Sequence, residues 1–106
     1  MICRQWRGWT TREQADEYQA LLTGTIIPMI EGRHLPGFLG IDTMRRDLGE
    51  EIEFQTLMWF EDEAGMRAFV GEDSSVSHIP DAAAKVLKRW DERAIHWQVA
   101  ERRGAV

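Results

Sequence analysis

The chain has no asparagine, a single cysteine and no long apolar run, and each absence removes a class of function. Without asparagine there is no acceptor for N-linked glycosylation. Cys3 cannot form an intrachain disulfide and has no C-x-x-C partner for metal or redox chemistry, so a buried strand thiol is expected. No stretch approaches the roughly 20 apolar residues of a membrane-spanning helix. The opening M-I-C-R-Q-W-R-G-W puts arginines where a signal peptide has its apolar core, which predicts a cytoplasmic protein with no membrane partner. Basic residues are not in excess: a formal net charge of -5 argues against a nucleic-acid partner, whose phosphates would need a surplus of Lys and Arg. Arg45-Arg46 and Lys85, Lys88 and Arg89 read as solvated basic faces. G-K-[ST], G-x-G-x-x-G, G-x-S-x-G and H-E-x-x-H are all missing, and no metal or cofactor is predicted.

What is present reads as one domain spanning residues 1–106, a length that can bury a single modest core. Ile2, Trp6 and Trp9 among polar residues mark a first strand over 2–9. Thr10 and Glu13 have capping-box spacing and predict a helix start. Its apolar stripe would be Ala15, Tyr18, Leu22, Ile26 and Met29, with Pro28 ending or kinking the helix. Leu35-Pro36-Gly37 leads into a strand over 38–47, which alternates Leu39, Ile41 and Thr43 against Phe38, Gly40, Asp42 and Met44. Gly40 marks a bulge or, alternatively, the close approach of a ligand. A turn at Leu48-Gly49-Glu50 precedes Ile52, Phe54, Thr56, Met58 and Phe60, alternating with Glu53, Gln55, Leu57 and Trp59. Asp62 caps a short helix bearing Met66, Phe69 and Val70, stopped by Gly71. Residues 72–78 read as a serine-rich loop. Pro80 opens a helix with Ala83, Val86, Leu87 and Trp90 on one face, and residues 93–100 close with a strand alternating Ile95, Trp97 and Val99 against His96 and Gln98.

This order predicts an α+β fold, a ferredoxin-like split βαβ sandwich with an extra helix. Its helices cover one sheet face, and the other carries enough apolar surface to predict a homodimer formed through it.

Three motifs then point to a family. I-x-R-x-W-R-G on the first strand, P-G-F-x-G entering the second, and E-F-x-T-L-x-W-F followed by A-F across the third and its helix resemble the antibiotic biosynthesis monooxygenase-like family. The resemblance implies a dimeric α+β barrel with a pocket between sheet and helices in each subunit. For function it implies a cofactor-independent monooxygenase acting on an aromatic or polycyclic small molecule. The alternative is a non-enzymatic dimeric barrel with a small-molecule-binding or stress-related role. The haem-degrading branch uses an asparagine on strand one, a tryptophan on the helix after strand three and a later histidine. The matching positions here are Trp6, Phe69 and His78, so only the histidine agrees and haem degradation is the lesser expectation.

In the oxygenase reading the protein supplies an apolar pocket, a base and an anion holder. Arg4 would hold an enolate or phenolate, its alternative being a salt bridge. His78 would act as the base, with His96 the second candidate. Arg4 and Trp6 share a strand face by alternation, and Trp6, Phe69, Trp59 and His96 are the candidate substrate-binding residues. Met29, Met44, Met58 and Met66 read as core filler.

Overall fold

The computed structural model describes residues 1–71 and 79–104. Its centre is a pair of ten-residue strands, β1 (Ile2–Thr11) and β3 (Glu51–Phe60), antiparallel in unbroken register from Ile2 opposite Phe60 to Thr11 opposite Glu51. β2 (Phe38–Asp47) pairs with the far edge of β3. The other edge of β1 is shared by two short strands: β4 (Arg89–Trp90) takes Gly8 and Trp9, and β5 (Ile95–Gln98) takes Ile2 to Gln5. All pairings are antiparallel, and the order β2-β3-β1-β4 is that of the ferredoxin-like fold.

Helices cover one face of this sheet. On it β3 buries Ile52, Phe54, Thr56, Met58 and Phe60, the set its period-2 pattern predicts. α3 (Glu63–Val70) begins where the Asp62 carboxylate accepts from the Gly65 amide at 2.9 Å, and it ends at Gly71, whose φ of 84° suits glycine. Gly65 itself lies against the loop that leads into β2: a Cβ there would come within 2.5 Å of the Pro36 carbonyl oxygen.

Four local expectations are corrected. β1 continues through Thr10, which is fully buried, so the Thr10–Glu13 capping box does not form. Thr11 Oγ1 accepts from the Gln14 amide instead, and α1 spans Ala15–Leu21. Pro28 does not end the helix. A π-helical turn at Leu22–Ile26 passes directly into α2 (Ile27–Gly32), with Pro28 in its first turn, where its missing N–H matters least. The wide turn also shifts the stripe by one residue, so Ile30 packs inward while Met29 is 64% exposed. The bulge expected at Gly40 forms, but its register slip overturns the alternation read for β2: it places Phe38 with Ile41 on the core face and leaves Leu39 outside. Finally, α4 is only Asp81–Val86. Leu87 is extended, and Trp90 lies in β4 opposite Gly8, because pairing with the open edge of β1 outweighs one more helical turn.

Among the described residues no helix covers the opposite face. Cys3 is buried there, opposite Trp59 on one side and Trp97 on the other, and burial pushes its thiol pKa up. Leu39, Met44, Ile95 and Trp97 are exposed, with Trp97 at 53%. One corner of this face is polar: the buried Glu53 carboxylate accepts from Arg46 at 3.0 Å and from Trp9 Nε1 at 3.1 Å. The Arg46 hydrogen bond holds Glu53 below its ordinary value of 4.5, and the Arg89 and Lys88 bonds act likewise on Glu51. A carboxylate with a depressed folded pKa contributes stability above its unfolded value and loses it as pH falls through the folded one. The melting temperature should therefore drop on acidification below about pH 4.5, and Glu53→Gln should make that drop shallower in melts between pH 7 and 3. An unchanged acid profile in Glu53→Gln would refute the assignment.

Candidate functional site

Alternation along β1 turns Arg4, Trp6, Gly8 and Thr10 toward the helices. Gly8 is needed at this place: a Cβ would meet Leu87 Cδ2 at 2.9 Å and the Trp6 ring at 3.0 Å, so the missing side chain lets the indole lie along the strand. Trp6 Nε1 donates to the Asp91 carbonyl at 2.9 Å, and the Asp91 carboxylate pairs with Arg7 at 2.9 Å. This clamp fixes the indole as a wall.

Beside it lies a cavity of about 70 Å³ between the sheet and the helices. Arg4, Trp6, Thr56 and Met58 line it from the sheet, Tyr18, Leu22, Ile26 and Ile30 from the first helical stretch, Phe69 from α3, and Ala83 from α4. Its lining is mainly apolar, and it has several times the roughly 10–15 Å³ that one water requires.

Arg4 is the charged residue of this wall and is only 4% exposed. Its Nη1 lies 2.7 Å from His96 Nε2, across the β1–β5 ladder where the two residues are register partners. A guanidinium can only donate, so His96 Nε2 accepts and the ring proton sits on Nδ1. The guanidinium carbon also lies 5.9 Å from the centre of the Phe69 ring, which Arg33 approaches from 5.3 Å while donating to the Ala68 and Phe69 carbonyls. Burial lowers the Arg4 pKa to about 10, which leaves the group charged at neutral pH.

Tyr18 and Thr56 belong to the same wall and were not singled out by the sequence. Tyr18 sits in a helical stripe, where it reads as core, and its ring does pack edge-on against Phe54 at 4.9 Å. Its hydroxyl, however, bonds to no described residue, although the side chain is 1% exposed. Tyr18 is one of the residues that line the cavity. Burial pushes the Tyr18 pKa up to about 12, which keeps it a neutral phenol able to donate. The signal available in the sequence was that Tyr18 is the chain's only tyrosine, placed on a helix face that meets the strand bearing Arg4.

The predicted site residues are thus distributed unequally. Arg4, Trp6 and Phe69 come together at the cavity. His96 stands against Arg4 and is not part of the cavity wall. Trp59 is corrected: it lies on the opposite sheet face, donating to Asp42 Oδ2 at 2.9 Å, because odd-numbered β3 residues point away from the helices. His78 falls outside the described residues. Among those that are described, no cluster of His, Cys, Asp and Glu could hold a metal ion, and no helix is long and apolar enough to cross a membrane.

Comparison with solved structures identifies the architecture. A candidate antibiotic biosynthesis monooxygenase from Bacillus cereus superposes with a TM-score of 0.71 over 100% of this chain and 97% of its own, at 12% identity. The chain has the antibiotic biosynthesis monooxygenase-like fold. The haem degrader MhuD from Mycobacterium tuberculosis, solved with two haems in its active site, superposes with a TM-score of 0.63 at 17% identity, covering 98% of this chain and 100% of its own. No protein-family profile and no curated protein sequence matches the chain. The shared fold puts the cavity between sheet and helices, and the chemistry has to be argued from the cavity wall.

Proposed function

We propose that the chain binds an aromatic anion in this cavity and acts on it as a cofactor-independent monooxygenase. The observation that carries the reading is a buried guanidinium, Arg4, set in an otherwise mainly apolar wall beside Trp6 and Phe69. A desolvated cation of this kind favours the deprotonated form of a phenol or enol, and the deprotonated ring is electron-rich enough to pass an electron to oxygen without metal or flavin. For a ring CH₂ beside such a phenol, two hydrogens are lost, one oxygen atom becomes a new carbonyl and the other leaves as water. The base we assign is His78, since the Nε2 lone pair of His96 is already engaged by Arg4.

Oxygen consumption with a series of phenols, from single-ring hydroquinones to anthrone-like compounds, tests the reading. Uptake should be measurable for the wild type and fall in His78→Ala. No uptake by the wild type across the series, with binding retained, would favour the non-enzymatic small-molecule-binding reading. Haem fits the described wall less well, since that wall carries no histidine to ligate its iron. A haem titration without a Soret shift would close that route.

The exposed apolar residues of the other sheet face support a homodimer formed there, with Leu39, Ile95 and Trp97 meeting the same surface of a second copy. Light scattering at micromolar concentration should give twice the chain mass, and a monomer alone would sink the dimer.

A further inference from the structure

Arg4 accounts for one end of a ligand. The polar groups left over say what the rest of it carries. Tyr18 is almost fully buried, its hydroxyl bonds to no described residue, and it lines the cavity that Arg4 enters. A buried hydroxyl without a protein partner costs free energy, whereas phenylalanine at this position would pack against Phe54 with the same ring. Thr56, also mostly buried on this wall, bonds through its side chain to no described residue either. Both hydroxyls are neutral. The guanidinium supplies the charge.

We infer that Tyr18 is a specificity-determining residue: its hydroxyl donates to a neutral carbonyl-type oxygen of the ligand, while Arg4 takes the ligand's anionic oxygen. The inference rests on the aromatic-anion site proposed above and narrows it to conjugated anions that carry a second, uncharged acceptor, such as keto-phenolates, hydroxyquinones and acyl-substituted aromatic acids. A phenol lacking that acceptor leaves the Tyr18 hydroxyl unsatisfied in the complex, which is the arrangement by which buried polar groups reject near-isosteres. The phenol is suited to the task because it remains protonated near neutral pH and its ring is held by Phe54.

The test is a calorimetric titration at pH 7 with 3- and 4-acetylbenzoate and with 3- and 4-isopropylbenzoate, which match them in charge and shape but lack the carbonyl oxygen. The wild type should bind at least one acetyl isomer about fivefold more tightly than its isopropyl match, the value of one hydrogen bond. In Tyr18→Phe this ratio should fall to about 1, with affinity for the isopropyl probe changed less than about twofold. Because the hydroxyl bonds to no described residue, Tyr18→Phe should also melt at or above the wild-type temperature, a result that a structural hydroxyl would not give. The inference is overturned if the wild type shows no preference, if the preference survives in Tyr18→Phe, or if Tyr18→Phe melts lower and weakens all probes alike. Equal binding of all four probes that is lost in Arg4→Met removes the role of Tyr18 and leaves the anion site standing. Failure of all four to bind the wild type removes both.

Discussion

An Arg4→Met chain is expected to take up oxygen with phenolic substrates at about one-hundredth of the wild-type rate or less, and to bind aromatic carboxylates correspondingly weakly. The size follows from what the substitution leaves behind. The ligand's anionic oxygen would still enter an apolar cavity but would meet no cation, and breaking a buried charge pair by removing one partner costs about 3–5 kcal/mol. Methionine fills a similar volume, but it takes the donor away from His96 Nε2, so a stability cost of about 1–3 kcal/mol should accompany the loss of activity and is read separately in a melt. Arg4→Lys should not rescue activity, because a compact ammonium lacks the planar fork with which the guanidinium reaches His96 Nε2 at 2.7 Å from the cavity wall. Activity in Arg4→Met within about threefold of wild type would remove Arg4 from the mechanism.

The largest effect on stability is expected at Phe60. Its side chain is completely buried, it meets Phe38 edge-on at 5.7 Å and Phe69 at 6.4 Å, and it pairs in register with both outer neighbours of β3. Phe60→Ala should cost about 3–5 kcal/mol, because the cavity it leaves lies between a sheet and a helix that cannot both collapse inward. For a chain of this length that lowers the melting temperature by more than about 12 °C, at about 4–8 °C per kcal/mol. The effect should reach the site as well, since Phe60 backs the Phe69 ring that faces Arg4. A urea midpoint shift equivalent to less than about 1.5 kcal/mol, at unchanged slope, would show that the two aromatic layers repack around the gap.

These two residues differ in how plainly the sequence announces them. Phe60 ends a run of alternating apolar residues, and a period of two is a local property that survives any tertiary arrangement. The same holds for the Asp62 cap and the Gly71 stop, where a side chain or a permitted φ acts on its own backbone within a few residues. Arg4 was reachable by alternation along one strand. Its partner was not: His96 is 92 residues away, and only closure of β5 onto the edge of β1 brings the two together.

Where local patterns conflicted with long-range pairing, pairing prevailed. Trp90 has helical spacing from Ala83 yet joins a strand, since the edge of β1 offers backbone partners that a further helical turn would not. The π turn before Pro28 and the bulge at Gly40 each add one residue to a repeat, and one residue is enough to exchange Met29 for Ile30 and Leu39 for Phe38 at the core. Trp6 and Trp59 look alike in sequence, each on a strand beside apolar neighbours. Which of them walls the cavity depends on which sheet face receives the helices.

The sequence by itself therefore determined the order of the main elements, the ferredoxin-like class and the sharing of one strand face by Arg4 and Trp6, because propensity, capping and periodicity act over short chain distances. The tertiary structure alone decided the pairing of Arg4 with His96, the exclusion of Trp59 and the place of Tyr18 on the cavity wall. A hydrogen bond made or left unmade is a property of what packs against a group, and for Tyr18 that is settled by strands and helices distant from it in the chain.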